Sequence, residues 1–153
     1  MRNAFSLLLC LSLGGCADLG FDVRTLTDLE RAQRRWERWR PDSYVYAIER
    51  LCFCPVEYRG PVRVRVDGNV VSERTYVDTG QPVPAAMADG FPAVNGLFVI
   101  LASALDEDAH EVRVSYDPET GVPLDFWIDY QEMTADEELG MRVTEDVEAV
   151  GAP

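Results

Sequence analysis

Cys52-Phe53-Cys54-Pro55 carries the thiol pair with the most chemistry open to it in this 153-residue chain. On an extended strand, residues two apart point the same way with Cα atoms ~6.6 Å apart, at the upper edge of disulfide geometry. A bond between these cysteines therefore requires a local kink, and a strained bond is more easily reduced. Cys52 and Cys54 are open to three states: a structural disulfide ending the strand before Pro55, a redox-active dithiol, or two thiolates of a soft-metal site. The usual redox motif spaces its cysteines by two residues at a helix start, and no further metal ligand lies nearby in sequence.

The other candidate groups are weaker. Asp106-Glu107-Asp108 with Glu111, and Asp136-Glu137-Glu138, offer oxygens to a divalent cation, but neither has calcium-loop spacing. Acidic runs of this kind usually face water. His110 is the single histidine, and no Ser or Cys nucleophile accompanies it in a known motif. Asp125 and Asp129 share a strand face ~13 Å apart, beyond the carboxyl separations of glycosidases. The chain has no lysine, which excludes Schiff-base chemistry and a Walker-type phosphate lysine. These residues assemble no catalytic set, so the expectation is a non-catalytic protein with no cofactor and no metal.

Leu13-Gly14-Gly15-Cys16 carries a different chemistry. It follows the apolar run Ala4 to Leu13 and reads as a lipobox closing a secretory signal, with Arg2 as its one n-region charge. The run is too short to cross a bilayer as a helix. Leu13 at the third position before the cut suits the lipoprotein route better than an ordinary signal-peptide site, and Gly14-Gly15 would end a core helix abruptly. Residues 1–15 are then a lipoprotein signal peptide and Cys16 the lipid attachment site. A diacylglyceryl group with an amide-linked chain passes the two-chain threshold for stable membrane anchoring. Ala17 stands where an inner-membrane retention signal would have Asp. The expected location is the bacterial cell envelope, on the periplasmic side, with the outer membrane favoured.

Composition supports one folded body beyond that signal. Hydrophobic residues make up 47% and aromatics 10%, enough for a core. The net charge of −13 is uneven: residues 1–40 carry +2 and residues 41–153 carry −15. An acidic body repels phosphate backbones, so nucleic acid is excluded as a partner.

The elements that must position these groups follow from periodicity. Residues 16–26 read as a tether, and Thr27-Asp28-Leu29-Glu30 as a capping box opening a helix. Leu29, Ala32, Trp36 and Trp39 fall on one helical face, predicting a core stripe ended by Pro41. Arg31, Arg34, Arg35 and Arg38 fall elsewhere on that helix, a basic side suited to anionic headgroups or to the acidic body. Ser43 to Phe53, Val62 to Val66 and Val70 to Val77 alternate as strands, the last two joined by an Asp67-Gly68-Asn69 turn. Asp78 to Pro92, rich in Gly and Pro, predicts a long surface loop. Val94 to Leu105 is apolar on nearly every side and predicts a buried helix. Val112 to Tyr116 and Leu124 to Tyr130 are strands about the Asp117–Gly121 turn, and Met141 to Val147 is a weaker last strand. The class is α+β over residues 27–150: an N-terminal helix, an antiparallel meander of five to six strands, and a buried helix between the third and fourth.

The chain resembles a family of short bacterial lipoproteins known only as a domain of unknown function. Trp36 and Trp39, Tyr44-x-Tyr46, Cys52-x-Cys54, Asp67-Gly68, Leu97-Phe98, Tyr116-Asp117, Gly121-x-Pro123, Asp129 and Asp136-Glu137-Glu138 carry the resemblance, over roughly residues 30–148. It implies an envelope lipoprotein and transfers no activity or catalytic residue. The expected role is a lipid-anchored protein-binding or scaffold module. It would meet the membrane through Cys16 and a protein partner through its long loop and an exposed Trp127. The alternative is a thiol redox or soft-metal role at Cys52 and Cys54, and a hydrolase using His110 ranks last.

Overall fold

The computed structural model describes the backbone of residues 20–134 and 137–151; the expected signal segment and Cys16 lie outside the described residues. Helix α1 spans Gly20–Trp39 and is followed by strands β1 (Ser43–Leu51), β2 (Val62–Asp67) and β3 (Val70–Tyr76). Helix α2 (Val94–Asp106) precedes β4 (Glu111–Tyr116), β5 (Pro123–Asp129) and β6 (Leu139–Ala149). The class is α+β with six antiparallel strands, as the periodicities predict. Helix α1 begins before the Thr27–Glu30 box, so residues 20–26 of the predicted tether are helical backbone. No proline interrupts Gly20 to Trp39, and Thr and Glu are tolerated inside a helix as well as at its start.

The strand order is β3-β2-β1-β6-β5-β4. Two three-stranded meanders are therefore joined by pairing of β1 with β6, from Tyr44↔Ala149 to Leu51↔Gly140. Helix α2 carries the chain from one sheet edge to the other. Both helices share a core with one sheet face, where Tyr46, Ile48, Val62, Val64, Val66, Phe126 and Ile128 are buried. The predicted last strand is 11 residues long and lies at the sheet centre. Its sequence signal is weak because its other face belongs to an open, charged surface. There Arg63 binds Glu145 at 2.5 Å, and Arg142 binds Asp125 at 2.8 Å and Glu49 at 3.3 Å.

The helical stripes decide what is buried. Leu29, Ala32 and Trp36 enter the core as predicted, whereas Trp39 is 43% exposed and only flanks Trp36 with ring centroids 5.8 Å apart. The stripe drifts off the core by the last turn, just before Pro41 stops the helix. Helix α2 buries Val94, Leu97, Phe98, Leu101 and Ala104, but its Asn95–Val99–Ser103–Asp106 side is exposed. It is a surface helix with one apolar face, not an enclosed one. Its first turn has no side-chain cap of its own; instead the Tyr44 hydroxyl accepts the Val94 N–H at 3.1 Å. Burial pushes the Tyr44 phenol up to about 12.

The Asp117–Gly121 turn forms as predicted. The Asp117 carboxylate accepts from the Thr120 N–H (2.6 Å), the Thr120 hydroxyl (2.8 Å) and the Glu119 N–H (3.0 Å). Burial alone would raise this group, but those hydrogen bonds outweigh it and hold its pKa below the usual carboxylate value. A depressed folded value stabilises above the unfolded pKa and is lost as pH falls through the folded one. Asp117→Ala is expected to cost about 1 kcal/mol near neutral pH. In urea melts, the gap to wild type should shrink below about pH 4. A gap that persists undiminished into acid would contradict this account.

Candidate functional site

Strands β1 and β5 are both antiparallel to β6 and therefore end on the same side of the sheet, at Leu51 and Asp129. Two excursions of the chain, 52–61 and the described residues 130–134 and 137–138, flank a cleft of about 940 Å³ at that end. Its lining includes Arg50, Leu51, Cys52, Phe53, Trp127, Tyr130 and Glu137. Gly140 allows Trp127 and Leu51 to close over the start of β6, since a Cβ there would lie 2.8 Å from both side chains. Trp127 is consequently half-buried, which corrects the expected exposed aromatic.

The first excursion is a held loop. Cys52 and Cys54 are disulfide-bonded with Cα atoms 5.3 Å apart, closer than on a regular strand because β1 has already ended. The Arg50 N–H donates to the Arg59 carbonyl at 2.6 Å, and Arg59 Nε donates to the Cys54 carbonyl at 2.8 Å. The Tyr76 hydroxyl donates to the Glu57 carbonyl at 2.8 Å, tying the loop to β3. On this fastened backbone Phe53 is 92% and Val56 67% exposed. Met133 of the facing excursion is also 92% exposed. Large apolar side chains held out on a rigid frame mark a contact surface more than a packing residue does.

Two charged residues of the cleft lining each hold one buried atom without a partner. Arg50 Nε and Glu137 Oε1 are both buried and make no hydrogen bond. Burial raises the Tyr130 phenol beside them, and Glu107 and Glu137 add to the rise. A buried unpaired donor and acceptor in one cleft suit a ligand that offers both, such as a peptide backbone. Periodicity hinted at Arg50, which continues the core-facing series Tyr44, Tyr46, Ile48. Glu137 carried no such signal, because its acidic run reads as a solvated face.

The remaining predicted residues are dispersed. With both sulfurs bonded, neither Cys52 nor Cys54 is the thiolate that a nucleophile or soft-metal ligand must be. Among the described residues no three His, Cys, Asp or Glu side chains group to hold a metal. His110 is exposed between α2 and β4, away from the cleft lining. Of the α1 arginines, Arg31 binds Asp28 at 2.7 Å and Arg34 lies 3.6 Å from Glu30. Arg38 is exposed, whereas Arg35 turns inward beside β4.

No helix among the described residues is long and apolar enough to cross a membrane. No curated protein and no solved structure matches the chain. A model for a family of unknown function, DUF6174, matches residues 28–148, from α1 through β6, and the chain belongs to that family.

Proposed function

We propose that this protein is a non-catalytic, lipid-anchored module of the bacterial cell envelope that docks an extended segment of another protein at the cleft beside the Cys52–Cys54 loop. The observation that carries the docking is Phe53, 92% exposed on a loop fastened by a disulfide and three hydrogen bonds. Fixing the loop in advance lowers the ordering cost of association. Phe53 and Val56 supply apolar anchors, while Arg50 and Glu137 supply a donor and an acceptor for backbone groups. The anchoring half rests on Leu13-Gly14-Gly15-Cys16 and on Ala17, which favour lipid on Cys16 and residence on the periplasmic side of the outer membrane.

Phe53→Ser combined with Val56→Ser is expected to cut partner capture in intact cells at least about tenfold. Both positions are exposed, so stability should change by under about 1 kcal/mol. Capture is read from a photo-crosslinker at position 58, with position 99 on α2 as the control. Equal adducts at 58 and 99, or full capture by the double variant, would defeat the docking reading. Mass spectrometry of the mature N-terminus in the same cells tests the anchor: an unmodified Cys16 would end it.

A second reading, thiol exchange at Cys52–Cys54, is favoured by the place of the pair in the cleft wall. A soft-metal role needs the same pair reduced. A pair that yields no thiol after treatment with a small dithiol would exclude both.

A further inference from the structure

Five buried side-chain atoms among the described residues lack a hydrogen-bond partner: Arg35 Nε, Arg50 Nε, Asp67 Oδ1, Tyr116 Oη and Glu137 Oε1. Arg50 and Glu137 belong to the cleft already described. Asp67 has its other oxygen bound by Ser72 at 2.5 Å and Arg65 at 3.1 Å. Arg35 and Tyr116 remain, and they line one cavity of about 510 Å³ between α1 and the edge strand β4. A buried polar group without a partner costs about 1–3 kcal/mol, more when charged, so two in one cavity call for an explanation.

The two atoms make the same demand. An arginine Nε–H only donates. Burial raises the Tyr116 phenol well above its ordinary value, so it stays protonated and can donate too. Its ring is fixed by parallel stacking on Phe98, with centroids 6.5 Å apart. The lining adds Arg31 and a single carboxylate residue, Asp28, which Arg31 already binds at 2.7 Å. Asp117, the other acid near Arg35, is held by the turn that follows β4. What is missing is an acceptor with several oxygens and negative charge.

We infer that the α1–β4 cavity is a binding site for a phosphoryl oxyanion, held by Arg35 and Tyr116 and screened by Arg31. A phosphate monoester presents three terminal acceptor oxygens and a phosphodiester two, each group anionic, and guanidinium groups match either in a bidentate manner. The cavity lies within the size range of small-ligand sites. The group can come from a free phosphate ester or from a phospholipid headgroup. This inference stands apart from the docking of a protein at the other cleft.

The test uses the full chain and two probes: glycerol phosphate in solution, and vesicles of phosphatidylglycerol with phosphatidylcholine vesicles as the neutral control. Tyr116→Phe removes only the hydroxyl and keeps the ring on Phe98; Arg35→Gln removes the charge. Each variant is expected to weaken binding at least about tenfold, and Tyr116→Phe should melt no earlier than wild type without ligand. Binding of glycerol phosphate that both variants lose supports the site with a free ester as its source. Binding confined to phosphatidylglycerol vesicles, again lost in both, supports it with a lipid source. No binding of either probe, or equal binding by wild type and Tyr116→Phe, overturns the inference.

Discussion

Trp36→Ala is expected to lower the free energy of unfolding by about 3–5 kcal/mol, a large fraction of the stability of a domain this size. The indole is 1% exposed and joins α1 to two other elements. It meets Tyr44 of β1 edge-on with centroids 5.4 Å apart, and its Nε1–H donates to Asn95 of α2 at 2.5 Å. Truncation therefore removes a large apolar volume and leaves a cavity where α1, β1 and α2 converge. It also loosens the ring that caps the first turn of α2 through its hydroxyl. Trp39, three residues on and 43% exposed, provides the contrast, with a cost of about 1 kcal/mol or less. Urea midpoints at constant slope read the difference. Equal displacement by the two variants would show that the helix is not held through Trp36.

Gly121→Ala is the second large effect. Gly121 has φ +82°, and a Cβ there would lie 2.1 Å from the Ala32 carbonyl oxygen and 3.0 Å from Arg35 Cβ. Left-handed backbone costs an alanine about 1–2 kcal/mol. The clash adds an overpacking cost of about 1–3 kcal/mol, because the obstacle is the backbone of α1 and not a mobile side-chain tip. The expected loss is about 2–5 kcal/mol, with α1 displaced from the β4–β5 turn. Gly80 separates the two causes: it has φ +67°, but a Cβ there would meet nothing within 4 Å, so Gly80→Ala should lose only the backbone part. Matching losses at the two positions would mean that α1 does not rest on the turn.

The chain announced its local structure clearly. Val62, Val64 and Val66 alternate with Arg63 and Arg65, and the same division separates core from open surface in the fold. The turn at Gly68 and Asn69 has φ of 58° and 70°, which Gly and Asn accept readily. Leu29, Ala32 and Trp36 kept their predicted face, because a period of 3.6 acts within a few residues. Trp39 and Trp127 departed from expectation since their burial depends on what other parts of the chain bring to them. Pro41 ends the helix beyond Trp39, and Gly140 lies 13 residues along the chain from Trp127.

The candidate site was less legible still. Cys52 and Cys54 were visible as a pair, but their loop is fastened by Tyr76 of β3, and their cleft is completed by Trp127, Tyr130 and Glu137. Arg50 and Glu137 line one cleft because β1 pairs with β6. By itself the sequence determined the class, the elements, the two turns and the thiol pair, all of which arise from spacings of a few residues. The tertiary structure alone decided that β6 is central, that Arg35 turns toward Tyr116, and that Arg50 and Glu137 share a cleft. Those outcomes rest on which distant strands become neighbours, a choice set by closing long loops around one core rather than by any local pattern.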